Sequence, residues 1–257
     1  MPIALKSLAG HLLRRRGYHV FRQEHLPQAN LSLHLKRLFA TQQIDCVFDV
    51  GANHGEYRDF LREAVGYEGL VVSIEPIPYL RSELESRASA DTKWVVLSCA
   101  AGRTPGLANF NVMKGDKLSS FRTPTTAATT RFKDSNTVAS VEQVQVRRLD
   151  EIYRELRDRF RFERPYLKID TQGFDLEVVE GASGCLGDIV ALQSETSVTP
   201  LYEDAPELLE TLAYFQQRGF ALSFLSPVGV DQTLRLLDCD CVFVNPGRIR
   251  SVAVERN

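Results

Sequence analysis

Residues 47–57 read Val-Phe-Asp-Val-Gly-Ala-Asn-His-Gly-Glu-Tyr, and this stretch decides the fold. A short apolar run carries Asp49, and the chain then passes through Gly51, Asn53 and Gly55 into residues with helical spacing. A buried parallel strand that turns tightly into a helix has this pattern. Glycine in such a turn admits positive φ and lets a ligand approach the main chain closely. An acidic side chain at the strand end and free N–H groups at the helix start suit a ligand with a ribose and a charged tail.

Outward from this turn the chain alternates apolar runs with helical stretches. Strands are predicted at Cys46–Val50, Leu70–Ile74 and Trp94–Ser98, with helices near Glu56–Val65 and Tyr79–Arg87. Leu107–Val112 and Val144–Leu149 show partial alternation and read as added antiparallel or edge strands. Tyr166–Ile169, Ile189–Glu195, Ala221–Leu225 and Cys241–Val244 follow as strands, with helices near Leu176–Gly181 and Pro206–Arg218. Strands separated by helices imply right-handed crossovers and a mostly parallel sheet covered on both faces. The last two strands, joined by a turn region containing Gly229, would end the sheet as an antiparallel hairpin. Met113 to about Ser140 is rich in Ser, Thr, Lys and Asp, and reads equally as a lid or as a plain mobile insertion.

Residues 1–43 read as a basic helical extension ahead of a domain expected to span 44–257. Lys6, Arg14, Arg15, Arg16, Arg22, Lys36 and Arg37 stand there against Glu24 alone. They read either as a solvated face or as an attraction for an anionic acceptor. Leu31, Leu35 and Leu38 have the spacing of a helix face that packs on the domain. The 257 residues carry a net charge of -2, which gives no reason to expect a nucleic-acid partner. No apolar run approaches the ~20 residues that cross a bilayer. Five scattered cysteines and no secretory leader pattern make the cytoplasm the expected compartment. Nothing in the sequence decides whether the chain self-associates.

Glu75 ends the second strand, where doubly wound folds place the carboxylate that receives ribose hydroxyls. Pro76 stops the strand after it. A nicotinamide fingerprint needs a glycine where Asn53 stands, because a side chain there crowds a pyrophosphate. Asn53 suits a cofactor without phosphates, such as S-adenosylmethionine. A nicotinamide-dependent oxidoreductase on the same kind of sheet is the second reading, and a non-catalytic member of the fold the third.

Several stretches together resemble the FkbM-type S-adenosylmethionine-dependent methyltransferases over about residues 45–245. They are Asp49–Tyr57, Ile74–Pro76, Leu149–Ile152, the Leu-Lys-Ile-Asp-Thr-Gln-Gly-Phe-Asp of Leu167–Asp175, Glu180–Ala182 and the Pro-Leu-Tyr of Pro200–Tyr202. The resemblance implies an α/β, Rossmann-like class I methyltransferase fold of seven strands and methyl transfer to oxygen, with a sugar or polyketide hydroxyl as acceptor. It implies that Asp49, Gly51, Asn53, Gly55, Glu75 and Pro76 hold the cofactor, joined by Asp170 and Gln172. Ser98, Cys99 and Ala100 would flank the adenine, without the acidic residue that related enzymes often place there. Asp175 stands where the family usually has the longer Glu.

Methyl transfer requires an aligned acceptor oxygen and removal of its proton. Asp170 closes a strand at the crevice and is the expected base, with Glu195 as a second carboxylate raising its pKa. Lys168 shares its face and would pair with it, catalytically or as an internal ion pair. His54 is the only histidine beyond residue 34 and reads as a second base or as an exposed loop side chain. Asp170 and Glu195 alone make a thin oxygen site for a divalent cation, so no metal ligand is assigned. Cys239 and Cys241 face one way along a strand and read as core packing.

Overall fold

The computed structural model describes residues 28–126 and 132–250. Of the basic N-terminal residues, Lys6, Arg14, Arg15, Arg16 and Arg22 lie outside them. In chain order the strands are β1 Cys46–Val50, β2 Leu70–Ile74, β3 Trp94–Leu97, β4 Ala100–Ala101, β5 Gly106–Met113, β6 Val138–Arg147, β7 Pro165–Ile169, β8 Ala191–Ser197, β9 Ala221–Val230 and β10 Leu236–Val244. The helices are α1 Ala29–Gln42, α2 Glu56–Phe60 continued by a π-turn at Leu61–Val65, α3 Pro78–Ala88, α4 Leu149–Phe160, α5 Asp175–Gly181 and α6 Leu208–Gln217.

Seven strands form one sheet in the order β3-β2-β1-β7-β8-β10-β9. Six of these strands run the same way, and β10 runs opposite to them, antiparallel to both β8 and β9. This is the α/β, Rossmann-like class I methyltransferase fold, closed by the anticipated antiparallel pair. β1 and β7 are buried along their whole length, as central parallel strands with both faces covered must be. Alternation along β1 sends Phe48 into a cluster with Ile152, Phe215 and Phe243, and Val47 into another with Leu35, Leu61 and Tyr166. Leu31, Leu35 and Leu38 of α1 are buried in the second cluster.

The strand order reverses between β1 and β7, so a crevice opens at their carboxyl ends. Register there sets Asp49 beside Lys168 and Val50 beside Ile169. Glu195 of β8 lies opposite Asp240 of β10.

Three local expectations need correction. The strand predicted at Val144–Leu149 ends at Arg147, and α4 begins at Leu149. Leu149, Ile152, Tyr153 and Leu156 recur at helical spacing, and burying that stripe outweighs continued alternation. The closing turn is not at Gly229, which pairs within β9. It lies at residues 231–234, where the Asp231 carboxylate accepts the backbone N–H of Thr233 and Arg235. Third, β5 and β6 pair antiparallel, as one of the two readings had it, but they do not edge the main sheet and form a separate sheet, β4-β6-β5.

Candidate active site

The glycine turn is shaped by what surrounds it. Gly51 has φ +82, and a Cβ there would lie 2.0 Å from the carbonyl oxygen of Asp170. Gly55, at φ +80, packs against Leu84 and Trp94. Asn53 takes φ +45, which asparagine tolerates better than most residues. Arg87 buttresses the turn by donating to the His54 carbonyl, and its guanidinium covers Trp94 at 5.1 Å. Gly51→Ala is expected to cost about 3 kcal/mol, from left-handed strain plus a clash with backbone. Urea unfolding of the purified variant measures it.

Glu75 directly follows β2 and is 3% exposed. Its Oε2 accepts the Asn53 N–H at 2.8 Å and its Oε1 the Ile77 N–H at 2.8 Å. Burial pushes its pKa up to about 7 despite those two donors. A carboxylate has about four lone-pair directions, so two stay open. Asp49 is fully buried, and burial raises it to about 6. Its Oδ2 accepts from the Ser73 hydroxyl at 3.5 Å, while Oδ1 has no hydrogen-bond partner.

Glu75 opens on a cavity of about 1040 Å³ that Gly51, Asn53, Pro76, Ile77 and Ala100 also line. Asp170, Gln172, Gln193, Glu195 and Asp240 line it too. The segment between β5 and β6 supplies Asp116, Lys117, Leu118, Ser119, Phe121 and Phe132. It is tied to the turn after β7 by Arg122 Nε, which donates to the Gly173 carbonyl at 2.6 Å, and to β5 by paired backbone hydrogen bonds of Ser120 with Asn111. Of the two readings of residues 113–140, the described part fits a lid better than a free insertion.

Around Asp170 the donors converge. Lys168 Nζ reaches Asp170 Oδ2 at 3.0 Å, and Gln172 Nε2 reaches Oδ1 at 2.9 Å. Burial pushes the Asp170 carboxyl up, but Lys168 and the hydrogen bonds from Glu195 and Gln172 outweigh it and hold the pKa below the ordinary value. Glu195 is driven well above its ordinary value by the charge of Asp170 and by burial. The sequence argument has Glu195 raising Asp170; here Lys168 reverses the order, and Glu195 takes the upward shift. Behind them Tyr57 OH and Tyr166 OH both donate to Gln193 Oε1, and Gln193 Nε2 donates to Asp240 Oδ1 at 2.8 Å.

Other predicted residues scatter around this centre. His54 bonds Glu83 at 3.0 Å and Asp116 at 3.1 Å through its two ring nitrogens, and does not line the cavity. Ser98 is exposed and accepts from Arg81, while Cys99 is buried in the core. Asp175 accepts from the backbone and hydroxyl of Thr171 and from Ser194, locking the turn after β7. Cys239 and Cys241 are buried with sulfurs 3.8 Å apart. Among the described residues no group of three or more His, Cys, Asp or Glu is placed to hold a metal ion. Tyr57, Ile77, Gln193 and Asp240 were not expected here. Strand parity pointed to Asp240, since Cys239 and Cys241 face the core and their neighbour must face away.

Comparison with known proteins bears on this geometry. The model of the methyltransferase FkbM domain matches residues 49–222. No curated protein matches the chain. Among solved structures, methyltransferase FkbM from Methylobacillus flagellatus is 17% identical with a TM-score of 0.48, over 78% of this chain and 43% of that one. The chain thus spans less than half the length of that protein. Fibrillarin from Aeropyrum pernix, in complex with natively bound S-adenosyl-L-methionine, is 11% identical with a TM-score of 0.43, over 78% and 66% of the two chains. A SAM-dependent methyltransferase from Aquifex aeolicus is 10% identical with a TM-score of 0.43, over 87% and 94%.

Proposed function

Because the chain belongs to the FkbM methyltransferase family, we propose that it is an S-adenosylmethionine-dependent O-methyltransferase acting on a hydroxyl of a small molecule or glycan. The observation that carries the cofactor assignment is Glu75, a buried carboxylate pinned by two backbone N–H groups with acceptor capacity left toward the cavity. Asn53, which lines the same cavity, also has a buried Oδ1 with no hydrogen-bond partner.

In this reading Glu75 receives the ribose hydroxyls and the turn residues Gly51 to Asn53 hold the amino-acid tail, while Asp49 and Gly55, which do not line the cavity, shape the turn from behind. Pro76, Ile77 and Ala100 flank the adenine. When bound, the cofactor supplies an electrophilic methyl group. Asp170 and Gln172 mark the border between cofactor and acceptor. Lys168 keeps Asp170 ionised, so it can accept a hydroxyl proton, while Glu195 carries a proton beside it. So weak a base works as the hydroxyl becomes acidic on forming its new bond. The segment 114–126 keeps water from the reacting atoms. Five buried free thiols support a cytoplasmic location.

Calorimetric titration with S-adenosylmethionine, S-adenosylhomocysteine and NADH tests this. Binding of the first two and not the third is expected; binding of NADH alone sinks the assignment. The pH dependence has a definite sign. Glu75 in the free protein is protonated below about 7, so hydrogen bonding to its carboxylate requires proton loss. Affinity for S-adenosylmethionine is therefore expected to fall as pH drops below 7, by at most about tenfold per unit. Titrations at pH 5.5 to 8 read the slope.

A further inference from the structure

Gln172 stands in backbone that favours glycine, at φ +52 directly before Gly173 at φ +84. Its side chain is fixed from two sides. Nε2 lies 2.9 Å from Asp170 Oδ1 and 2.9 Å from Glu195 Oε2, so both amide hydrogens meet a carboxyl. Oε1 lies 3.2 Å from the hydroxyl of Tyr202, which donates to the Leu118 carbonyl at 2.7 Å. The Gln172 main-chain carbonyl accepts from the Ser120 hydroxyl at 2.8 Å. The covering segment and the turn after β7 thus both set where this amide points. No other amide side chain bonds both carboxyls among the described residues.

The charged groups around the pair come from three strands. Lys168 on β7 donates to Asp170, Asp240 on β10 lies opposite Glu195, and Asp49 on β1 lies beside Lys168. One buried ammonium therefore faces four carboxyl groups. A hydrogen bond already joins Glu195 to Asp170, and the Gln172 amide adds a neutral donor to each carboxyl; without that amide the two would repel and separate once the shared proton is lost.

We propose that Gln172 is a positioning residue whose amide clamps the Asp170 and Glu195 carboxyls together, so that they accept and hold protons as one unit. This rests on the reading of Asp170 as the proton acceptor. The pair holds one proton at rest, gains a second from the acceptor hydroxyl, and returns to one by release to water.

Carboxyl-selective ¹³C NMR titration of the full chain labelled at Asp and Glu tests the clamp. In the wild-type protein Asp170 and Glu195 are expected to titrate in two separated steps, each moving both resonances. Gln172→Met keeps the length and removes both N–H donors. It is expected to draw the two steps together by about one pH unit or more. An unchanged separation in the folded variant overturns the proposal. Should that variant not fold, the ¹⁵N-labelled wild-type chain decides, because both Gln172 side-chain N–H resonances must follow the two steps. Neither of them moving overturns the proposal too. The titration uses the protein alone, so its failure is distinct from a failure to bind S-adenosylmethionine.

Discussion

Glu75→Ala lowers the affinity for S-adenosylmethionine at least a hundredfold in a chain that still folds. Each ribose hydroxyl donating to a charged acceptor contributes about 1.5–3 kcal/mol, and two such bonds correspond to roughly 10²–10⁴ in affinity. The variant also strips the backbone N–H groups of Asn53 and Ile77 of their acceptor, at about 1–3 kcal/mol of stability each. Removal of a carboxyl that burial disfavours offsets part of that loss. Glu75→Gln separates the two effects, since it keeps one acceptor oxygen but sets an amide against one backbone donor. Its affinity should fall between those of wild type and Glu75→Ala, with a similar loss of stability. Calorimetry and thermal unfolding of all three proteins give both quantities. Affinity within threefold of wild type in Glu75→Ala means that the ribose is held elsewhere.

Asp170→Asn is expected to keep cofactor affinity within a fewfold of wild type and to lose turnover by about 10²–10⁴-fold, the usual range for removing a general base. The substitution is nearly isosteric, and its oxygen can still face Lys168 Nζ. Lys168 then lacks the full charge opposite it, although Asp49 and Asp240 still attract it. Lys168→Met provides the complementary loss: Asp170 then meets burial without its cation, its pKa rises, and the pH at which activity is half lost should move upward. Single-turnover transfer from methyl-labelled S-adenosylmethionine to an acceptor found by screening sugar and polyketide hydroxyls gives the rates. Full activity of Asp170→Asn would place the base at another residue.

The parts of this architecture legible in the sequence are those decided within a few residues. The run Val47–Gly55 combines an apolar strand with glycine-dependent backbone, so both β1 and its turn follow from local sterics. Glu75 followed because it stands between the apolar run that ends β2 at Ile74 and Pro76, which cannot continue the strand. Pairings decided at long range were less visible. Nothing local says that β10 inserts between β8 and β9, or that Glu195 meets Asp240 there. Residues 144–149 alternate well enough to suggest a strand, yet from Leu149 onward a helical stripe had a larger core to fill. The ordering of proton affinities between Asp170 and Glu195 depends on where Lys168 and Gln172 reach, which spacing along one strand does not fix. Residues 113–140 read as a polar loop because the described part is anchored by backbone, hydroxyl and guanidinium groups and by the aromatic Phe121, none of which makes an apolar repeat.

The chain has one tryptophan, and its position gives the protein an optical property. The Trp94 indole packs against the guanidinium groups of Arg58 and Arg87, at 4.6 and 5.1 Å, and its N–H donates to Ser73, which in turn donates to Asp49. Its ring also touches the position where Gly55 lacks a side chain. Emission from an indole depends on nearby charges and on the polarity around the ring. Any shift of the glycine turn, or any change in the charge of Asp49, therefore registers in the intrinsic fluorescence of the unlabelled protein, with no competing tryptophan to dilute the signal.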